Sequence, residues 1–556
     1  MCTPLIDDDD YPTSGRVEQI RPTEILCEIL QFVVGSDGIK ALLPSTHVSV
    51  RWRRAALSDS SLWTTIYLDQ TPPPLLDMVL ARAGNQLFTV HADHHDLERH
   101  AELWVLANRF KELHYSASLK DLAPFLASLG PAPNLKVLHL RPAAGVVSSD
   151  ELASLITIQN IFSGRLPLLR NLVLTNTAIW PYDLFRNLTS FECGVSSHFP
   201  ISPAHVFDVL RESPLIESLR VVGCCVPISG PEVPPVVLSS LRKCVMVGEG
   251  AAALIRFIAV PPTALVSLGK LYTDDWEGFP DFNKHCVGPG LRILGEASVV
   301  SFSITDNGAR LQARNDRGGA LDVKVDELYY LSGQPLSFAR FIRGSFECWR
   351  SCPGLKTAKE FTLRMERDGV WGPDESTYNA LNLVRLISNL PGIGGAKLYG
   401  VPPLEFSSIL GCLSRGPKVK LRCPNLKRLD VESSPLRSPR SLLVGLGKLF
   451  ATRKEAGAPF QSVTVKVRCE TLVPATDHCA LLTSWEGLVR EGVRLEYEQI
   501  DVKKLLKRRH LPEEGEDEGG SDEEGDGEAG TDDPDDCVGW DGWPENWPKT
   551  VEEMKG

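Results

Sequence analysis

The densest set of side chains able to bind a metal or move a proton is His91-Ala92-Asp93-His94-His95-Asp96, with His100 just beyond. Imidazoles and carboxylates of this kind ligate zinc or a harder cation. A closed coordination sphere needs a second ligand block at fixed spacing, and none follows. The cluster is read as a polar loop and helix start beside a strand. Cys348 and Cys352 are four apart and Cys224 and Cys225 are adjacent. Neither forms the paired Cys-x-x-Cys blocks of a structural zinc site, so they are read as buried small apolar residues. Gly392-Ile393-Gly394-Gly395 lacks the Gly-x-Gly-x-x-Gly spacing and is read as a loop. There is no Gly-Lys-Ser/Thr phosphate loop, no Gly-x-Ser-x-Gly elbow and no His-Glu-x-x-His. The expectation is therefore no catalytic residue, no cofactor and no metal. A metal-dependent enzyme using the His91–His100 cluster stays open as one reading.

Composition narrows the field further. The chain has 556 residues, room for more than one domain, and 43% hydrophobic residues, enough for a large core. Its 14 cysteines follow no framework spacing. Asp7–Asp10 stands where a secretory signal would be basic. Reduced thiols in the cytoplasm, the nucleus or both are expected. No apolar run reaches membrane-spanning length, so no membrane partner is expected. The net charge of −12 comes from one place, because Pro512–Cys537 alone carries 14 acidic residues and no basic ones. The remainder is nearly neutral, which gives no case for a nucleic-acid partner.

What must be positioned is apolar. Ile20-Arg21-Pro22-Thr23-Glu24-Ile25-Leu26-Cys27-Glu28-Ile29-Leu30-Gln31-Phe32-Val33-Val34 precedes a Gly35-Ser36-Asp37-Gly38 break. Pro22 suits a first helical turn, and Glu24 complements the helix dipole. Ile25, Ile29 and Phe32 recur at helical spacing with Leu26, Leu30 and Val33 beside them, a stripe wider than one seam. A second helix is expected over Arg51–Ala56, with Val48, Trp52 and Ala55 on one side, before Leu62-Trp63. A unit of about fifty residues buries little of its own surface. It docks on the rest of the chain or offers a patch to a partner.

This stretch resembles an F-box, the adaptor-docking module of substrate receptors in cullin–RING ubiquitin ligases. Pro22-x-Glu24-Ile25-Leu26-x-x-Ile29-Leu30 and Val48-x-x-x-Trp52-Arg53 carry the resemblance, followed by Ala56-Leu57 and Leu62-Trp63. Arg21, Ser49 and Val50 depart from the family pattern, and Pro44 interrupts the second helix early. The other reading is an ordinary helical hairpin. The resemblance implies that Pro22, Ile25, Leu26, Ile29, Leu30, Val48 and Trp52 bind the Skp adaptor, which bridges to a cullin scaffold.

Behind this stretch one unit recurs, a strand written Leu-x-x-Leu-x-Leu and often preceded by Pro. The copies are Leu135–Leu140, Leu169–Leu174, Ile216–Val221, Leu241–Met246 and Leu426–Val431, with weaker ones at Phe110–Tyr115 and Leu188–Cys193. Helical patterns lie between, such as Ala204–Arg211 and Ser441–Arg453. Further strands are expected at Thr64–Leu68, Leu87–Val90, Val299–Ile304, Leu321–Val325, Phe361–Arg364, Lys397–Tyr399, Val463–Val467 and Val493–Tyr497. Spacings of about twenty to thirty-odd residues lie in the leucine-rich-repeat range. The chain is similar to F-box proteins of mushroom-forming fungi in its order of F-box, Leu62-Trp63, Ala83-Gly84-Asn85 and a strand. A non-repetitive α/β domain with leucine-rich strands is the alternative.

The expected fold is thus α/β. Residues 1–19 form a disordered N-terminus and 20–63 a small helical F-box. Residues 64–511 form an irregular leucine-rich-repeat solenoid, or horseshoe, and 512–556 an acidic disordered tail. A basic helix, Val502–His510, closes the body; Lys503, Lys504, Lys507, Arg508 and Arg509 make it either a nuclear import signal or a solvated helix end. Trp540, Trp543 and Trp547 in the tail either dock on the protein's own surface or form a linear motif for a partner. The resemblance implies a non-enzymatic ligase subunit that holds an unknown target protein on its repeats. A repeat scaffold without a ligase role is the alternative.

Overall fold

The computed structural model describes residues 23–93, 100–117, 119–142, 161–175, 184–194, 203–223, 235–248, 254–255, 257–269, 296–305, 308–326, 358–366, 392–401, 409–410, 413, 423–433, 440–469, 488 and 492–499. The chain forms two compact units, Met1–Leu188 and Thr189–Gly556. The 1–19 segment, the Val502–His510 helix and the 512–556 tail lie outside the described residues.

The first unit opens with α1 (Thr23–Ser45), two helical stretches joined by a kink at Gly38, where φ is 72° and ψ is −171°. That backbone region belongs almost to glycine alone. Pro44 sits in the last turn of α1, one residue before the helix ends. Then come α2 (Val50–Ser58), a tight turn at Ser60–Trp63, β1 (Thr65–Tyr67) and α3 (Pro73–Ala83). β2 (Phe88–Asp93), α4 (Ala101–Trp104), β3 (Phe110–Ala117), α5 (Leu119–Ser128), β4 (Val137–Pro142) and β5 (Asn171–Thr175) follow. β1 to β5 pair in chain order and all parallel. Parallel neighbours require a crossover connection, which α3, α4 and α5 supply along three of the links. One strand face is a registered apolar row of Ile66, Val90, Leu113, Leu138 and Leu172, each fully buried. Each such side chain contributes about 1.5–3 kcal/mol on burial, so this row is a principal support of the unit.

The second unit contains β6 (Ser190–Gly194), β7 (Ser218–Val222), β8 (Val236–Val237), β9 (Lys243–Val247), β10 (Ile258–Ala259) and β11 (Leu265–Gly269). It continues with β12 (Ala297–Thr305), β13 (Gly308–Asn315), β14 (Ala320–Asp326), β15 (Glu360–Glu366), β16 (Gly395–Val401), β17 (Arg428–Ser433), β18 (Ser462–Cys469) and β19 (Val493–Gln499). Helices Pro203–Glu212 and Arg440–Glu455 lie in two of the connections. β6, β7, β9 and β11 stack parallel, and so do β12, β15, β16, β17, β18 and β19. A meander joins the two runs in reversed order: β14 lies parallel to β11, β13 antiparallel to both β14 and β12, and β12 beside β15. An odd number of antiparallel strands restores the original direction, so polarity survives the insertion.

The leucine copies become strands, and all but the Phe110 copy, whose strand begins at Phe110 itself, start two residues late. The first apolar residue closes a turn instead: the N–H of Leu135, Leu169, Ile216, Leu241 and Leu426 donates to the carbonyl of Ala132, Leu166, Ser213, Leu238 and Cys423. The proline before several of these residues has a fixed φ that favours such turns. One carbonyl then receives two N–H groups of the next strand. Lys136 O accepts from Arg170 and Asn171, Thr189 O from Glu217 and Ser218, and Lys427 O from Gln461 and Ser462. This shared bond fixes the register from strand to strand. Among the described residues no helix is long and apolar enough to cross a membrane.

Candidate functional site

α1 and α2 divide their apolar side chains between two directions. Leu26, Leu30, Val34, Ile39 and Leu42 of α1 and Ala55 and Ala56 of α2 are buried. Outward stand Phe32 at 79% exposure, Val48 at 63%, Val50 at 60%, Ile25 at 41% and Leu57 at 39%. Ile29 and Trp52 are half-buried. Leu26 and Leu30 were expected to dock on a partner. Covered by the protein's own interior, they hold α1 in place instead. Pro22 and Arg21 lie outside the described residues.

Polar contacts fix this pair of helices. Ser49, one of the departures from the family pattern, is the N-cap of α2, its hydroxyl accepting from the Trp52 N–H at 3.3 Å. Arg53 Nε donates to Thr46 O at 2.9 Å across the turn between the helices. Trp63 is fully buried, its indole N–H donates to Ala56 O at 2.8 Å, and Arg82 of α3 lies 4.9 Å over its ring. Leu62-Trp63 is therefore the peg that seats α1 and α2 against α3. Cys27 on α1 is half-buried, and burial, helped by Asp59 and Glu24, raises its thiol above the ordinary range.

Residues 22–69 match the F-box-like family model. The chain carries an F-box-like domain at its N-terminal end, ending in the turn that follows β1. No curated protein is significantly similar to the chain. The F-box-like domain shares a compact unit with β1 to β5, and its α1 packs on β1.

Only part of the histidine cluster of the sequence falls among the described residues. His91 is on β2, His100 is buried at the start of α4, and His94, His95 and Asp96 lie outside the described residues. Among the described residues no group of three or more His, Cys, Asp or Glu is placed to hold a metal ion. His91 instead stands in a registered row, Tyr67, His91, His114 and His139, on four neighbouring strands. Tyr67 stacks on His91 at 4.3 Å and 9°, His91 on His114 at 4.2 Å and 11°, and His114 meets His139 at 4.2 Å edge to face. The nitrogen lone pairs of two parallel stacked imidazoles also run parallel, so they do not converge on one ion.

Burial, with His114 beside it, lowers His91 to about 4, against the pull of Glu112 and Asp69. Burial and His114 lower His139 to about 4 as well. His114 Nε2 is 3.9 Å from Glu112, a pairing that favours the imidazolium, but burial outweighs it and the group is lowered. The rings are neutral at physiological pH. Gly392–Gly395 was expected to be a loop, but Gly395 is the first residue of β16; Gly394 and Gly395 spend their N–H groups on Lys359 O there, leaving none of that pair to cradle a phosphate. Cys224, Cys225, Cys348 and Cys352 lie outside the described residues. The sequence pattern alone did not mark Phe32 and Leu57 as outward positions, and it gave no sign of the ring row.

Proposed function

We propose that the protein is the substrate-recognition subunit of a Skp–cullin–F-box ubiquitin ligase. The observation that carries this reading is an F-box-like domain whose two helices and the turn between them hold Ile25, Phe32, Val48, Val50 and Leu57 outward while Leu26, Leu30, Val34, Ile39, Leu42, Ala55 and Ala56 are buried. The Skp adaptor covers that patch, with Ile29 and Trp52 at its half-buried floor, and bridges to the cullin. Each of these apolar side chains contributes about 1.5–3 kcal/mol when fully covered, so a handful suffices after the ordering costs of association. The parallel strands behind the domain form the irregular leucine-rich solenoid that holds the target protein. The protein performs no chemistry and binds no cofactor; it raises the effective concentration of target lysines near a ubiquitin-charged enzyme.

Co-expression with the adaptor tests this. The full chain should co-purify with it, and Val48→Asp, Ile29→Asp or Trp52→Ala should abolish recovery without lowering the unfolding midpoint much. Adaptor binding left intact in all of these variants would remove the docking surface. The departures at Arg21 and Val50 favour one competing reading, a repeat scaffold with no ligase role; recovery with other partners but never with the adaptor would establish it.

A further inference from the structure

The turns that lead into β3, β4 and β5 carry charge of one sign. Residues 107–111, 131–136 and 161–170 contain Arg109, Lys111, Lys136, Arg165 and Arg170 and no Asp or Glu. Lys111, Lys136 and Arg170 hold the same place in each copy, one residue past the buried Phe110, Leu135 and Leu169. Backbone bonds stack them rung on rung: the Lys136 N–H donates to Lys111 O at 2.8 Å, and the Arg170 N–H to Lys136 O at 2.9 Å. Neighbouring strands lie about 4.8 Å apart, so three cationic residues succeed one another over about 10 Å of the sheet's entry edge. Lys111, Lys136 and Arg165 are exposed, and Arg170 is half-buried.

This charge is answered only in part. Lys111 is tied to Glu112 at 3.0 Å. Arg109 donates from Nε and Nη2 to Gln86 O at 3.2 and 2.8 Å, a neutral acceptor that leaves its charge standing. Lys136 and Arg165 meet no carboxylate among the described residues. The second unit treats its strand entries differently: Arg242 meets Glu217 at 3.5 Å, Lys359 meets Asp316 at 2.6 Å and Arg428 meets Glu360 at 2.6 Å. Like charges on neighbouring rungs repel, so the edge of β3 to β5 is a one-sign field that favours an anion.

What else stands on this edge narrows the anion. Leu168 is 40% exposed between Arg165 and Arg170 in a single turn. Phe110 and Phe162, the two rings within these turns, are fully buried. A nucleic acid would find cations here but no ring on which to stack a base. An extended peptide advances about 3.4 Å per residue, so three or four acidic residues cover the three rungs, and an apolar neighbour covers Leu168. Arginine forks onto carboxylates, and lysine meets them as a point charge.

We propose that the entry edge of β3 to β5, centred on Lys136, Arg165, Leu168 and Arg170, binds an acidic segment of a partner protein that carries an apolar residue beside its carboxylates. For the partner's role as a target this rests on the ligase reading and deepens it, but the contact itself is tested without the adaptor.

The test uses the full chain, a labelled twelve-residue peptide of repeated Glu-Glu-Leu and a labelled oligothymidylate of the same length, followed by fluorescence anisotropy. The acidic 512–537 segment repels both probes, so the comparison is between variants that all retain it. The peptide should bind wild type, and added salt should weaken it. Lys136→Glu with Arg165→Glu should weaken it at least tenfold, Leu168→Ser should weaken it severalfold, and Lys136→Arg should leave it unchanged. These side chains are exposed, so urea midpoints should stay level and separate lost binding from lost folding. Lys427→Glu with Arg428→Glu makes the same charge change in the second unit and should leave binding unchanged. Equal affinity in wild type and Lys136→Glu with Arg165→Glu overturns the proposal. So does an equal loss in the two double variants, or oligothymidylate binding more tightly than the peptide. Adaptor capture by the same proteins is scored separately. If the peptide result holds and wild type never captures the adaptor, the edge stands and the ligase reading falls; if the adaptor is captured and the variants bind the peptide alike, the edge falls and the ligase reading stands.

Discussion

Gly38 lies against the ring of Tyr67: a methyl group at Gly38 would sit 2.9 Å from Tyr67 Cδ2. The kink of α1 therefore rests on the first ring of the row that crosses β1 to β4. Two demands meet at this glycine, the close approach and a φ of 72° with ψ near −171°. A side chain in that backbone region costs about 1–3 kcal/mol before any clash is counted. Gly38→Ala should lower stability by about 2 kcal/mol, read as a lower urea midpoint. An unchanged midpoint would mean that the kink is not held by this contact.

The ring row should also make the protein acid-sensitive. His91 and His139 fall to about 4 in the folded chain, below the ordinary value of about 6.5. As the pH drops, the unfolded chain takes up protons first. Stability from these groups is therefore complete above about pH 6.5 and is lost progressively down to about pH 4. Urea midpoints measured from pH 7.5 to 4.5 should fall for wild type and fall less steeply for His91→Gln with His139→Gln. Parallel curves for the two proteins would refute this assignment.

How far the sequence foretold these features depended on whether one strand or several had to be read. The Leu-x-x-Leu-x-Leu copies gave their strands because an apolar alternation is visible in a single segment. β13 was missed: Gly-Ala-Arg-Leu-Gln-Ala-Arg-Asn pairs antiparallel on both sides, and its place follows from partners far along the chain. The direction of side chains on α1 was unreadable because Ile25 and Leu26 are equally apolar, and only packing tells the outward one from the buried one. The ring row hid for a related reason. His139 lies between Leu138 and Leu140, and His114 between Leu113 and Tyr115, as solvated positions of ordinary strands do. Their alignment exists only once register is known.

Arg453 is fully buried at the end of the Arg440–Glu455 helix, and its partners among the described residues are carbonyls rather than a carboxylate. Its guanidinium donates to Ala458 O at 3.1 Å, Cys423 O at 3.2 Å and Leu426 O at 2.7 Å, and lies 4.7 Å over the Phe460 ring. It thereby ties the turn before β17 to the segment leading into β18. Removing it leaves buried acceptors unpaired, each costing about 1–3 kcal/mol. Arg453→Met should cost about 3 kcal/mol in urea unfolding, and Arg453→Lys should restore little because one ammonium nitrogen cannot reach the carbonyls that Nε, Nη1 and Nη2 reach separately. Rescue by lysine would show that charge alone matters.

The reversed meander meets the turn before β11 at a close approach between Gly319 and Pro262. A Cβ on Gly319 would lie 1.9 Å from Pro262 O, a backbone atom that has no flexible end to yield. The same carbonyl accepts from Asn315 Nδ2 at 2.8 Å, while Asn315 Oδ1 takes the N–H groups of Arg317 at 3.1 Å and Gly319 at 2.9 Å. Asn315 thus folds the hairpin between β13 and β14 and fastens it to the turn before β11 in one step. Asn315→Ala leaves those N–H groups seeking water and should cost about 1–3 kcal/mol. Gly319→Ala should be worse, because the turn must back away from Pro262 and pull Ala320 off its bond to Ala264 O, where β14 first meets β11. Hydrogen exchange locates the damage: amides of β11 and β14 should lose protection in Gly319→Ala while those of β17 and β18 keep theirs. Uniform loss across both runs of strands would mean that the meander is welded into its unit by more than this turn.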